Sequence, residues 1–330
     1  MLQTKDIAIV ILNWNGKALL EKFLPSVTKH SKGAVVYVAD NASTDDSVAF
    51  VSENFPEVKL IQNTENGGYA KGYNDALQQV DEPVFCLLNN DIEVTKNWLK
   101  PIIATFNAEP FTAIIQPKLL DYNNRSHFEY AGAAGGFVDK YGYPFCRGRI
   151  FDTIEKDSGQ YDDTTSIFWA SGACLFIRKS AFKILNGFDE TYFAHMEEID
   201  LCWRAHSHNL QIRYVGKSTV YHVGGATLNN LSPRKTYLNF RNSLFTLVKN
   251  TNTNVFIRTV IRMKLDAVAA LRFLLQFKPA HSFAVLRAHL SFYSNLNQIL
   301  KQRKFLPKRG DYYRVNSIVW SYFIKKNRKF

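Results

Sequence analysis

The chain has 330 residues, 46% hydrophobic and 21% charged, enough apolar matter for one or two domains with a sizeable core and too much for a wholly disordered protein. Gly (17) and Pro (10) are sparse and no period recurs, which excludes a collagen-like or repeat-built chain. The net charge of +12 is unevenly placed: residues 230–330 carry 20 Lys and Arg against two acids, Asp266 and Asp311, while the remainder is mildly acidic, an asymmetry that calls for an anionic partner.

The N-terminus passes straight into the strand-like run Ile7–Leu12, without the basic start, longer apolar stretch and small-residue cleavage site of a signal peptide. No uninterrupted apolar run of about 18 residues occurs, so a cytoplasmic chain without a transmembrane helix is expected. Val35–Ala39, Val58–Gln62 and Val84–Leu88 repeat the pattern of short aliphatic strands buried on both faces. Between them Ala18–His30, Ser47–Phe55 and Tyr69–Val80 have helical spacing, with Ser47 a candidate cap. This alternation predicts a parallel sheet flanked by helices. After a helix at Trp98–Ala108 the pattern loosens. Residues 118–165 read as long loops or a small inserted subelement, and Gly132–Gly136 as a flexible loop. A strand at Ala173–Ile177, a helix at Glu197–Ala205 and further strands over Leu210–His222 follow. From about Pro233 the pattern is helical, with Arg241–Val248, Val255–Phe277 and Ser282–Leu300, then a basic, aromatic segment, Lys301–Phe330. A boundary falls near residue 230. Cys86, Cys146, Cys174 and Cys202 show no CxxC spacing and read as buried free thiols.

Ligands of a parallel α/β sheet bind at the carboxyl ends of its strands, so the residues after each strand carry the chemistry. They are Asn13-Trp14-Asn15-Gly16, then Asp40-Asn41-Ala42-Ser43-Thr44-Asp45-Asp46, then Asn66-Gly67-Gly68-Tyr69-Ala70, then Asn89-Asn90-Asp91. One such loop is an ordinary turn; four in succession converge polar groups on one edge. The chain has neither GxxxxGK[ST] nor GxGxxG after the first strand, so any nucleotide must be held by side chains. In Glu197-Glu198-Ile199-Asp200, Glu197 and Asp200 share a helical face and Asp200 can pair with Arg204, leaving Glu198 free. A solvated helix N-terminus, which favours acids, accounts for the same cluster.

These loops, with Gly172-Ala173-Cys174-Leu175-Phe176-Ile177-Arg178, Gly187-Phe188-Asp189-Glu190, Glu197–Arg204 and Tyr221-His222-Val223-Gly224-Gly225, resemble a family 2 glycosyltransferase of the rhamnosyltransferase-like bacterial branch, over roughly residues 5–230. The resemblance implies the GT-A fold: an α/β, Rossmann-like, mostly parallel central sheet flanked by helices, here followed by a basic helical C-terminal extension. It implies a nucleotide-sugar half at about 1–110, an acceptor half at about 111–230 and a C-terminal region at 231–330. By the same resemblance Asp40 faces the base, an acid that suits the ring N–H of uracil or thymine because it only accepts. Asn13 and Asn66 line base and ribose, and Gly67, Asn89 and Asn90 join them in binding the donor. Asn89-Asn90-Asp91 stands where the family has DxD, with Asn89 replacing the first acid, so Asp91 remains as ligand for Mg²⁺ or Mn²⁺, joined by His222. Glu197-Glu198 matches the pair whose second acid is the general base of an inverting transfer, Glu198 first and Glu197 second. The implied donor is dTDP-rhamnose or a UDP-sugar, and the implied acceptor a hydroxyl of a growing, lipid-linked surface glycan.

The charged C-terminal region suits two partners. Its bases, among them Arg258, Arg262, Lys264, Arg272, Lys278 and Arg287, lie among Leu, Phe, Val and Ile in amphipathic helices, which favours an anionic membrane surface, attached peripherally on the inner face, over nucleic acid. A sugar nucleotidyltransferase, the remaining α/β alternative, would need a Gly-rich, basic first loop that is missing.

Overall fold

The computed structural model describes residues 1–224, 232–305, 307, 310 and 312–330. The boundary expected near residue 230, Gly225 of the last motif, and Asp311 lie outside them. In chain order the elements are β1 Ile7–Asn13, α1 Lys17–His30, β2 Val35–Asp40, α2 Ser47–Asn54, β3 Lys59–Gln62, α3 Gly68–Leu77, β4 Val84–Asn89, β5 Ile92–Val94 and α4 Leu99–Ala108. Then come β6 Thr112–Asp121, β7 Gly136–Val138, β8 Pro144–Cys146, β9 Arg149–Ile150, β10 Thr153–Ile154, β11 Thr164–Ser166, β12 Cys174–Arg178 and α5 Lys179–Ile184. α6 Glu197–Ser207, β13 Gln211–His222, α7 Pro233–Asn250, α8 Val255–Leu275, α9 Pro279–Phe305 and α10 Ile318–Phe323 complete the chain.

Alternation along β1 sends Ala8 and Val10 into one core cluster and Ile7, Ile9 and Ile11 into the other, so both faces of the sheet are covered. α1 covers one face through Leu20, Leu24 and Val27; α3 covers the opposite face through Ala70, Tyr73, Ala76 and Leu77. The central sheet runs β11-β13-β6-β12-β4-β1-β2-β3, with β5 pairing β13. β3, β2, β1 and β4 are parallel, as the β-α alternation predicts. Beyond them the sheet is mixed rather than mostly parallel: β12 is antiparallel to both β4 and β6. An aliphatic strand buried on both faces reads identically in either direction, so Ala173–Ile177 was visible and its direction was not. The two reversals cancel, and β6 and β13 run parallel to each other with their carboxyl ends at the same edge as β1, β2 and β4.

Of the two readings of residues 118–165, long loops or a small inserted subelement, the structure shows the second. These residues hold the end of β6 and a second sheet of order β10-β9-β8-β7. Pro117 lies at the register shift of β13 between Val215 and Thr219, the irregular position at which a ladder tolerates a residue without N–H. Gly132–Gly136 is not flexible: Ala133 and Ala134 are fully buried, the Ala133 carbonyl accepts from Leu119 at 3.0 Å, and Gly135 turns at φ 97°. Asp45, not Ser47, serves the start of α2, its Oδ1 accepting from the Ser47 N–H at 3.1 Å and from the Ser47 hydroxyl. The strands expected over Leu210–His222 are one long strand, β13. All four cysteines are free and buried.

The C-terminal helices are not a separate appendage. Leu244, Phe245, Leu247, Val248, Phe292 and Ile299 belong to the same core cluster as the strands. Arg258 and Arg262, expected on a basic outer face, are buried. Arg258 donates to Tyr312 Oη at 2.6 Å, while Arg262 pairs with Asp266 at 2.8 Å and stacks 3.7 Å from the Tyr143 ring centre. Arg262→Ala should therefore lower unfolding free energy by about 3–5 kcal/mol in urea melts, because it strands Asp266 in the interior. Removing the exposed Arg272 should cost within about 0.5 kcal/mol.

Candidate active site

The carboxyl ends of β1, β2 and β4 form one hydrogen-bonded chain. Asn90 Nδ2 donates to Asn13 Oδ1 at 2.8 Å, and Asn13 Nδ2 donates to Asp40 Oδ1 at 3.1 Å. All three side chains are buried. Asp40 also accepts from the Ser43 backbone at 2.8 Å and the Ser43 hydroxyl at 2.6 Å. A carboxylate offers about four acceptor positions, so about one is left for a ligand. Asn66 accepts from the Gly68 N–H at 3.0 Å, and Asn41 ties the same turn by donating to the Gly68 carbonyl at 3.0 Å. Gly67 caps α3. Gly68 sits at φ 80°, and the Phe193 carbonyl and ring occupy the place a Cβ would take, so this turn admits glycine alone. Asn89 ends β4, its N–H bonded to the Ala173 carbonyl at 2.9 Å.

At the same edge β5 and β13 bring Asp91 beside His222. Nε2 of His222 is 3.1 Å from Asp91 Oδ1, and Nδ1 is 3.3 Å from Glu129 Oε1. Burial would lower the histidine's pKa; Glu129 and Asp91 override it and carry the group up to about 10. The ring nitrogens meet Asp91 and Glu129 at ion-pair distance without well-aligned hydrogen bonds. A divalent cation such as Mn²⁺ or Mg²⁺ would take Asp91 and the neutral imidazole as donors, displacing the ring proton that Glu129 and Asp91 otherwise hold. Among the described residues no three His, Cys, Asp or Glu side chains form a ready ligand set, so a cation would take its other ligands from a substrate or water.

The third part of the site is the start of α6, and it is not a solvated terminus. Glu197 is buried and Glu198 half-buried, each with one carboxyl oxygen that has no hydrogen-bond partner. Desolvation pushes Glu198 up to about 7; burial, then the neighbouring charge of Glu198, raises Glu197 well above the ordinary glutamate range. The segment leading into the pair is strained: Phe193, His195 and Met196 have φ of 61°, 69° and 74°. α7 holds it in place. Asn242 Nδ2 donates to the carbonyls of Tyr192, Ala194 and His195 at 3.0, 2.9 and 2.7 Å. The Tyr69 N–H meets the Phe193 carbonyl at 2.8 Å, joining this segment to the loop after β3.

Asp200 pairs with Arg204 at 2.8 Å, as the i,i+4 spacing predicts, and also with Lys249 of α7 at 2.9 Å and Asn250 at 2.8 Å. Burial alone would raise this carboxyl; Lys249 and Arg204 hold it down to about 2.

The model of glycosyl transferase family 2 matches residues 8–185, more than half of the chain. The chain belongs to glycosyl transferase family 2. It is a glycosyltransferase of the rhamnosyltransferase-like branch. The N-acetylglucosaminyl-diphospho-decaprenol L-rhamnosyltransferase of Mycobacterium tuberculosis is 25% identical over 234 residues, covering 66% of this chain and 76% of its own. Rhamnosyltransferase WbbL of Escherichia coli K12 is 24% identical over 220 residues, covering 63% and 80%. The fold is GT-A. Residues 1–349 of S. aureus TarS, solved with UDP-GlcNAc, superpose with a TM-score of 0.56 at 16% identity, over 90% of this chain and 83% of theirs. The mannosyltransferase PcManGT of Pyrobaculum calidifontis, solved with GDP-Man and Mn²⁺, gives 0.54 at 11% identity, over 87% of each.

The family match ends before Glu197, Glu198 and His222; their place beside the strand-end loops comes from the fold. Glu129, Asn242, Lys249 and Asn250 were not singled out from sequence. Glu129 lies between β6 and β7, in the segment whose sequence reads as long loops or a small inserted subelement. In α7 the polar residues Asn242, Thr246 and Asn250 recur every fourth position, a stripe that does signal a buried polar face. Lys249→Met should destabilise the fold by about 3–5 kcal/mol in urea melts, since Asp200 and Asp189 then lose a buried cation.

Proposed function

We propose that this glycosyltransferase transfers a sugar, with inversion, from a pyrimidine nucleotide diphosphate sugar (dTDP-rhamnose or a UDP-sugar) to a hydroxyl of a growing, lipid-linked bacterial surface glycan. The observation that carries the proposal is the Glu197–Glu198 pair, desolvated at the edge where the strand-end loops converge. Glu198, at about 7, is part ionised at neutral pH and accepts the acceptor hydroxyl's proton as its oxygen attacks the anomeric carbon and the nucleoside diphosphate departs; Glu197, also raised by burial, stands beside it. Asn13, Asn66, Gly67, Asn89 and Asn90 line the donor. The one position left on Asp40 fits the single ring N–H of uracil or thymine, whereas guanine presents two adjacent donors. Asp91 and His222 would hold Mg²⁺ or Mn²⁺, which neutralises the departing diphosphate. GalNAc-T7, solved with UDP, GalNAc and Mn²⁺, has the same fold and supports that pairing of nucleotide and metal. The decaprenol-linked relative supports a lipid-linked acceptor. Residues 1–230 then carry the donor, metal and acid residues, and the basic region from 231, whose α7 braces the acid pair, lies peripherally on the inner, anionic face of the membrane where that acceptor resides. Among the described residues no helix is long and apolar enough to cross it.

Glu198→Gln should cut turnover about 10²–10⁴-fold with nucleotide binding intact. In the unmodified enzyme the rate should rise as pH climbs through about 7, because the carboxylate is the active form. A Glu198→Gln enzyme of near-normal rate would move the base to Glu197 or elsewhere. In thermal-shift titrations with Mn²⁺, UDP or dTDP at about 100 times its dissociation constant should stabilise the chain by about 2.7 kcal/mol. GDP binding as tightly would refute the reading of Asp40.

A further inference from the structure

The turn from α8 to α9 presents apolar side chains outward on both of its arms. Phe277 is 94% exposed, Leu275 73%, Phe283 60% and Leu286 54%. Single exposed apolar residues are ordinary on a protein surface, but four within twelve positions at a helical turn mark a contact surface. The backbone adds a second observation. Lys278 N–H donates to the Phe273 carbonyl at 2.9 Å and Phe277 N–H to the Leu274 carbonyl at 3.0 Å, closing α8 in a Schellman motif. Its left-handed residue, at φ 56°, is Phe277. Glycine is the unstrained choice there, and this aromatic ring gains no packing within the chain in return for the strain.

Charge decides what covers this surface. Lys278 and Arg287 flank the apolar residues and are exposed, Arg272 lies 3.9 Å from Asp152, and Lys264 is exposed farther along α8. From 232 to 305 the chain's one acid is Asp266, buried against Arg262. A second copy meeting this face about a two-fold axis would set these cations near their own copies with no acid from these helices to pair them. An anionic bilayer meets both needs, offering phosphates to the cations and acyl chains to the aromatic and aliphatic residues.

We infer that the α8–α9 turn is the membrane-inserting element of this enzyme, with Leu275, Phe277 and Phe283 entering the acyl boundary of an anionic leaflet while Lys278, Arg272 and Arg287 engage the headgroup phosphates. The inference rests on the reading that the acceptor is membrane-bound, and it assigns the attachment to one turn rather than to net charge spread over the whole C-terminal region. The turn would then fix the orientation of α7, and through it the α6 acid pair, relative to the lipid surface.

The test is sedimentation of the full-length chain with vesicles of phosphatidylcholine alone and with added phosphatidylglycerol, at low and high salt. Two variants are compared with the unmodified protein: Leu275→Asp combined with Phe277→Asp, and Phe277→Gly. The unmodified protein should bind the anionic vesicles and release at high salt, and the double variant should bind at least about tenfold more weakly. Phe277→Gly should melt no lower than the unmodified protein, since it relieves the left-handed strain, yet bind vesicles less; a purely structural Phe277 would not separate the two readouts. If both variants bind as the unmodified protein does, the turn is not the inserting element, although the membrane reading survives. Failure of the unmodified protein to bind anionic vesicles at low salt overturns both. A dimer in lipid-free solution that the double variant dissociates assigns the face to a second copy and overturns the inference.

Discussion

The site depends on a carboxylate that never reaches water. Asp200 is 0% exposed, and it remains ionised because Lys249 and Arg204 both lie within ion-pair distance. A lone charge in that position would be expelled or protonated; a paired one locks the elements that supply its partners. Lys249 belongs to α7 and also reaches Asp189 at 2.6 Å, and Arg204 donates to the carbonyls of Leu185 and Gly187. One buried cluster thus fixes α6, the turn after α5 and α7 against one another. With α7 so fixed, Asn242 bonds the strained carbonyls at 192–195, and the acid pair is presented from a helix whose first turn is buried. The raised pKa values of Glu197 and Glu198 follow from that burial.

The sheet supplies the other constraint. The loops after four parallel strands carry Asn, Asp and Gly because the carboxyl edge exposes polar groups to a ligand while the strand middles are buried on both faces. The antiparallel insertion of β12 would carry later strands away from that edge were it not reversed again at β6. As a result β13 delivers His222 to Asp91, more than a hundred residues away in sequence, and Glu129 backs the histidine from its far side.

Strands such as Ile7–Leu12 and Val84–Leu88 were legible because burial on both faces leaves a continuous aliphatic run. β6 was not, because Gln116, Pro117 and Lys118 interrupt it. Each is satisfied by tertiary contacts that no local pattern announces: Gln116 donates to the Gly132 carbonyl at 3.1 Å and Lys118 pairs with Asp157 at 2.8 Å. The strand-end loops were legible through their succession, since only the parallel topology makes four separate turns converge. Glu129 was not, having neither motif nor period around it. In the C-terminal region the count of bases showed the charge but not its depth. Arg262 looked like part of a surface, although Asp266 at i+4 was a visible hint of an internal pair.

The central claim is that burial at the start of α6 desolvates Glu198 until its ionisation falls at neutral pH. Infrared difference spectra recorded across a pH titration measure this directly, by following the protonated carboxyl band that disappears when Glu198 is replaced by Gln. The account predicts that this band titrates with a midpoint near 7 in the folded protein. A midpoint at about 4.3, that of an ordinary glutamate in water, would contradict it.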